Sequence, residues 1–198
     1  MAMPITFWFD FGSPYAWLAS AQIGAVAART GRAVVWRAFL LGVVFRQTGM
    51  APLAVQPLRG DYALRDVARQ ARRLGLACAT VMAPEGTSVA VGRVFHALDL
   101  QDPVLAACFA QAAFHATFAL GENLATPEAA LDFATRFGAG TAAAEATAPA
   151  ARAALRAATE EAVRLGVFGA PFFLVDGEAF WGQDRLPMLE AWLREGPW

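Results

Sequence analysis

The chain has 198 residues, enough for one well-buried core or for a core plus a helical subdomain, but not comfortably for two independent domains. Apolar residues make up 57% of it and charged residues 17%, with a formal net charge of −1. That balance excludes a disordered chain and lacks the basic footprint of nonspecific nucleic-acid binding, so a small molecule is the expected partner.

In chain order, residues 5–11 (ITFWFDF) are β-branched and aromatic, as suits a strand buried on both faces. Gly12-Ser13-Pro14 then supplies a turn, an N-cap hydroxyl and a proline at the first helical position, which predicts a helix from 14 to about 30. Residues 33–39 (AVVWRAF) read as a second strand, parallel to the first through a β-α-β crossover. From about 42 to 166 the pattern turns helical, with helices expected over 62–74, 88–99, 103–120, 127–137 and 149–165, several opening at proline. Residues 171–175 and 178–181 flank Asp176-Gly177 as a tight hairpin, and a last helix runs over about 185–195.

This order, β-α-β, a block of helices, then β-β-α, is an α/β thioredoxin-like fold with an all-helical insertion. Residues 1–45 and 166–198 would form the thioredoxin-like part and 46–165 the insertion. The start of the chain has no basic segment, and no apolar run approaches bilayer length, so a soluble cytoplasmic protein is expected, with no membrane partner. Cys78 and Cys108 have neither C-x-x-C nor metal-ligand spacing and read as buried free thiols; no metal is expected. The Trp- and Phe-rich composition suggests a homodimer.

Chemistry concentrates in three motifs. The first, Phe11-Gly-Ser-Pro-Tyr-Ala-Trp17, ends the first strand and starts the first helix, where four free N–H groups and the helix dipole favour an anion and lower a thiol pKa. Redox proteins of this topology carry a C-x-x-C pair there, whereas this chain has Ser13 and Ala16, which excludes disulfide exchange by a protein thiol. A hydroxyl able to donate to a ligand's sulfur remains; the plainer alternative is that Ser13 only caps a helix.

The second motif is Val167-Phe-Gly-Ala-Pro-Phe-Phe173, where a cis Ala170-Pro171 bond would leave the N–H and C=O of Ala170 free to pair with an extended peptide ligand. The alternative is an ordinary trans turn proline. The third is Phe180-Trp-Gly-Gln-Asp-Arg-Leu186, whose Gln183 and Asp184 would receive an α-amino group while a helix N-terminus receives a carboxylate. Here the alternative is that Asp184 is merely the N-cap of the last helix. A serine hydrolase on Ser13 is disfavoured, because the G-x-S-x-G elbow is missing and His96 and His115 sit in apolar helical segments.

Together these motifs, with the run from Trp36 to Gly49 (WRAFLLGVVFRQTG), resemble the 2-hydroxychromene-2-carboxylate isomerases, which sit with the kappa-class glutathione transferases on a DsbA-like thioredoxin fold. The resemblance implies glutathione as cofactor and a small aromatic substrate. Ser13 would bind the glutathione sulfur, Ala170 and Pro171 would clamp the cysteinyl backbone, and Gln183 and Asp184 would hold the γ-glutamyl end. Arg59 stands where a lysine of the glutathione and substrate sites is usual. Met50 replaces the asparagine of a G-N-x-P-P loop, and Pro84-Glu-Gly-Thr-Ser88 replaces a P-x-N segment.

The implied reaction is cis-trans isomerisation of an aromatic pyruvate by reversible thiolate addition. Arg59, Arg65, Arg69 and Arg73 are candidate counter-charges for the substrate carboxylate, set against a solvated helix face in which Asp66 pairs with Arg69 or Gln70. The rival readings are a transferase or peroxidase on another electrophile and a noncatalytic glutathione-binding protein.

Overall fold

A computed structural model describes residues 3–198. The elements are β1 (Ile5–Phe9), α1 (Pro14–Thr30), β2 (Val34–Ala38), α2 (Leu41–Thr48), α3 (Arg59–Arg73), α4 (Thr87–Asp99), α5 (Pro103–Phe118) and α6 (Pro127–Arg136). They continue with α7 (Gly140–Ala143), α8 (Pro149–Arg164), β3 (Phe172–Val175), β4 (Glu178–Trp181) and α9 (Leu186–Glu195). Single 3₁₀ turns occupy Leu53–Val55, Ala144–Thr147 and Gln183–Arg185.

The four strands form one sheet in the order β2-β1-β3-β4, with β1 parallel to β2 and antiparallel to β3, and β3 antiparallel to β4. Period-2 alternation splits the aromatic run of β1 between two cores. Phe7 and Phe9 face one side with Trp36, Phe95, Phe114 and Phe173, under α1, α4, α5 and α9. Trp8 faces the other side with Phe39, Phe172 and the apolar stripe of α8. Each such ring, fully buried, contributes about 1.5–3 kcal/mol. No helix among the described residues is long and apolar enough to cross a membrane.

Local signals set most boundaries. Ser13, Asp102 and Thr126 cap α1, α5 and α6 with their side-chain oxygens, and each is followed by proline. Asp176 and Gly177 both take positive φ, 51° and 87°, the backbone a two-residue hairpin turn requires.

Three expectations change. The first strand ends at Phe9, because the Asp10 carboxylate turns the backbone by accepting from Gly12 N–H. Helix α2 has no signal in its own residues: its N-cap is Leu40, without a side-chain cap, and the first-turn N–H of Leu41 is accepted by Asp10 Oδ2, 31 positions earlier. The thiols are not buried: Cys78 is partly covered and Cys108 is exposed, on the outward stripe of α5 opposite Phe109 and Ala113.

Candidate active site

The parallel strands β1 and β2 both end at the same edge, and the chain turns there into α1 and α2. Ser13, the N-cap of α1, has extended backbone (φ −94°, ψ 113°), which lets its Oγ curl back onto the helix. That oxygen accepts from Ala16 N–H at 3.2 Å, and the hydroxyl donates to the carbonyl of Ala170 at 2.8 Å. The Ala170-Pro171 bond is cis, and the Pro171 carbonyl accepts from Gly182 N–H at 3.0 Å. The loop before β3 is thus laid against the start of α1, as the two motifs together required.

Two expectations about this corner need correction. Fewer donors are free than four: Pro14 has no N–H, Ala16 N–H goes to Ser13 Oγ and Trp17 N–H to Ser13 O. Tyr15 N–H is the first-turn donor left without a protein partner among the described residues. The Ala170 carbonyl is not free either, because Ser13 occupies it; the Ala170 N–H has no partner among the described residues.

Gln183 lies buried in the turn before α9, where its Oε1 accepts from Gln22 of α1 at 3.2 Å. Asp184 is exposed and accepts from Arg185 at 3.0 Å; the N-cap of α9 is Arg185, so Asp184 is not a helix cap. Its charge nonetheless reaches the phenol of Tyr15. Ser13, Ala170 and Pro171 therefore meet at the start of α1, whereas Gln183 touches that helix at Gln22, further along it, and Asp184 lies within electrostatic reach of the Tyr15 phenol. Arg59 does not join them: it is exposed at the start of α3 and donates to Gln56 at 2.7 Å.

Two participants had weak sequence signals. Tyr15 donates its phenol proton to Asp66 at 3.1 Å, and Asp66 pairs with Arg69 at 2.8 Å, so Arg69 belongs to the solvated-face arrangement. Burial first, and then the Asp66 carboxylate, holds the Tyr15 phenol well above its ordinary pKa of 10, which keeps it neutral. Asp10 is buried, and besides Gly12 and Leu41 it accepts from Ser88 of α4 at 2.5 Å. Burial raises its pKa against the pull of those three donors. A lone carboxylate inside an apolar run was the available signal for Asp10; nothing local singled out Ser88.

His96 is a core residue whose Nε2 lies 3.0 Å from Ala38 O, and His115 is exposed on α5. Neither reaches Ser13, so no nucleophile-base pair forms there. Among the described residues no group of three or more His, Cys, Asp or Glu side chains could hold a metal ion.

The DSBA-like thioredoxin domain matches residues 4–194. The chain belongs to that family. A curated relative, the 2-hydroxychromene-2-carboxylate isomerase of Pseudomonas putida, is 27% identical over 195 residues, covering 96% of this chain and 93% of that protein. A second relative of the same name, from Sphingobium xenophagum, is 53% identical over a stretch of 36 residues, only 18% of either chain. Among solved structures, a 2-hydroxychromene-2-carboxylate isomerase shares the DSBA-like fold with a TM-score of 0.81 at 23% identity, over 96% of this chain and 93% of that one. The cytosolic disulfide reductase DsbM of Pseudomonas aeruginosa, solved with GSH, shares it at 0.63 and 19% identity, over 97% and 100% of the two chains.

Proposed function

We propose that this chain is a glutathione-dependent isomerase of the 2-hydroxychromene-2-carboxylate type. The observation that carries the reading is the single hydrogen bond from Ser13 Oγ to the Ala170 carbonyl. It ties together a hydroxyl at a helix N-terminus and a backbone edge whose N–H is unpaired, the two features an extended cysteinyl peptide needs. The names of the relatives point the same way.

The residues present suit glutathione. On binding, the Ser13 hydroxyl turns from the Ala170 carbonyl to the sulfur, and the peptide N–H of the ligand takes that carbonyl in exchange. The unpaired Ala170 N–H gains an acceptor, so no buried polar group is orphaned by the swap. Tyr15 N–H and the α1 dipole add positive potential at the sulfur, which favours its anionic form. Gln183 and Asp184 receive the γ-glutamyl end, the Asp184 carboxylate facing the amino group.

Bound there, glutathione would supply a nucleophilic sulfur for reversible addition to a side-chain double bond. The protein's share is to hold the sulfur deprotonated and to orient the aromatic substrate beside it.

The test is a glutathione titration followed by ultraviolet thiolate absorbance, in the native protein and in Ser13→Ala, beside an isomerisation assay with and without glutathione. The native complex should show thiolate near neutral pH and turn over an aromatic pyruvate only with glutathione, and Ser13→Ala should show much less thiolate. Turnover that is equal without glutathione, or thiolate that is equal in both proteins, would overturn the reading. Turnover of another electrophile alone would reassign the protein as a transferase.

A further inference from the structure

Among the described residues Asp10 is the most deeply buried carboxylate, 4% exposed, and the proposed reaction leaves it unused. Its backbone carbonyl accepts from Ser13 N–H at 2.9 Å, so the two residues close one tight turn, with their Cα atoms within about 7 Å. Its side chain gathers the starts of three helices. Oδ1 accepts from Gly12 N–H at 2.6 Å, just ahead of α1, and from the Ser88 hydroxyl of α4 at 2.5 Å. Oδ2 accepts at 2.8 Å from the N–H of Leu41, the first residue of α2. The packing is close: a Cβ on Gly12 would come within 2.9 Å of Ser88 Oγ and 3.0 Å of Asp10 Oδ1.

All three donors are neutral. The titratable side chains of those helices are Tyr15 and Arg29 of α1, Arg46 of α2, and Arg93, His96 and Asp99 of α4, and β2 adds Arg37. Among the described residues none of them bonds to Asp10, whose pKa answers to burial and to the three neutral donors. On the other side of Ser13, two more carboxylates, Asp66 and Asp184, act on the Tyr15 phenol, while Arg59 and Arg69 of α3 are taken up by Gln56 and Asp66. A thiolate held at Ser13 would thus share one turn with an ionised Asp10 that no cation contacts. Like charges so placed disfavour each other, and such a pair keeps one proton over the pH range between its two titration steps.

We propose that Asp10 takes up the proton that glutathione gives up at Ser13, so that one negative charge moves from the buried carboxylate to the sulfur. This inference rests on the glutathione reading. One S–H bond breaks, one O–H bond forms on Asp10 Oδ1, the proton exchanges by way of solvent, and the net charge of the turn is unchanged. Asp10 is the end that yields the charge, because burial already outweighs its three donors. The Ser13 hydroxyl, Tyr15 N–H and the α1 dipole favour the anion at the sulfur instead. Ser88 accommodates the change: its hydroxyl donates to the carboxylate and accepts from the acid, so the contact persists in both states.

The test compares two counts on the full chain at saturating glutathione, between about pH 5 and pH 8. Protons released per glutathione come from calorimetric titrations in buffers of different ionisation enthalpy, and thiolate formed per glutathione comes from ultraviolet absorbance. In the native protein, release should fall short of thiolate by at least about half a proton over a window of pH. In Asp10→Asn the two counts should agree throughout. Ser88→Ala removes a donor that favours the ionised carboxylate, so the shortfall should begin at higher pH, and Ser88→Thr should restore its position. Should Asp10→Asn fold poorly, the Ser88 pair carries the reading. Equal counts at every pH in the native protein, the same shortfall in Asp10→Asn, or a window unmoved in Ser88→Ala would overturn the proposal. Thiolate without a shortfall sinks this inference alone, whereas glutathione bound without thiolate sinks the reading beneath it as well.

Discussion

Ser13 Oγ donates to the carbonyl oxygen of Ala170 at 2.8 Å, across 157 positions of sequence. The same oxygen accepts from Ala16 N–H, so one small side chain caps α1 and anchors the loop that leads into β3. The residue proposed to hold a ligand's sulfur is thereby also structural without that ligand.

Replacing Ser13 by Ala removes the cap and leaves a partly buried carbonyl unpaired. We expect a stability loss of roughly 2–3 kcal/mol in urea unfolding, combining a lost N-cap with an orphaned acceptor. A loss under about 0.5 kcal/mol would mean that neither bond matters in solution.

Asp10 joins three segments through Gly12, Leu41 and Ser88. Burial raises its pKa above the ordinary 3.8, so between that value and its native pKa the folded protein binds more protons than the unfolded chain. Stability contributed at Asp10 therefore falls as pH rises through that window and stays flat above it. Asp10→Asn should be less stable at neutral pH by on the order of 1–3 kcal/mol, because an amide N–H₂ opposes the donors it meets. The gap between native and variant should widen as the sample is acidified; a gap independent of pH would refute the assignment.

For His96 the sign is opposite. Burial lowers its pKa below the ordinary 6.5, against the hydrogen bond to Ala38 O, so the unfolded chain binds the extra proton as pH falls below that value. Stability is full above about pH 6.5 and is lost as pH falls through the native pKa. Chemical denaturation of His96→Leu between about pH 7 and pH 5 should show a shallower acid loss than the native protein. Parallel curves would count against it.

Gly169 packs under the indole of Trp181, and a Cβ built there would collide with the indole ring. Trp181 also meets Phe168 edge-on at 4.8 Å between ring centroids, a contact the half-exposed indole would give up on swinging outward. Gly169→Ala should cost about 1–3 kcal/mol, shift the tryptophan emission and weaken glutathione binding through the displaced Ala170. Native-like emission with unchanged affinity would show that the ring gives way freely.

Much of the fold was legible because its signals are local. Pro14 to Thr30 stands as the Gly12-Ser13-Pro14 pattern predicts, and the Asp176-Gly177 hairpin lies where its dipeptide placed it. Helix α2 was not legible, since the carboxylate that holds its first turn belongs to Asp10 in another segment. Cys108 was misplaced for a related reason: an almost uniformly apolar helix such as α5 does not announce which face turns outward. At the candidate site, Ser13 and Ala170 meet through one hydrogen bond as their motifs suggested, while Gln183 reaches α1 at Gln22 and Arg59 lies apart, bonded to Gln56.

What the amino-acid order determined alone was the menu of elements, the absence of a thiol at the start of α1 and the chemistry open to a hydroxyl there. Capping, turn conformation and period-2 burial depend on neighbours a few bonds away, and those neighbours are written in sequence. Which donors stay unpaired, that Ala170 gives its carbonyl to Ser13, and that Leu41 and Ser88 both turn to Asp10 were decided only in three dimensions. Pairing and burial depend on distance through space, and closing 157 positions onto one hydrogen bond is work done by the packed core on both faces of the sheet.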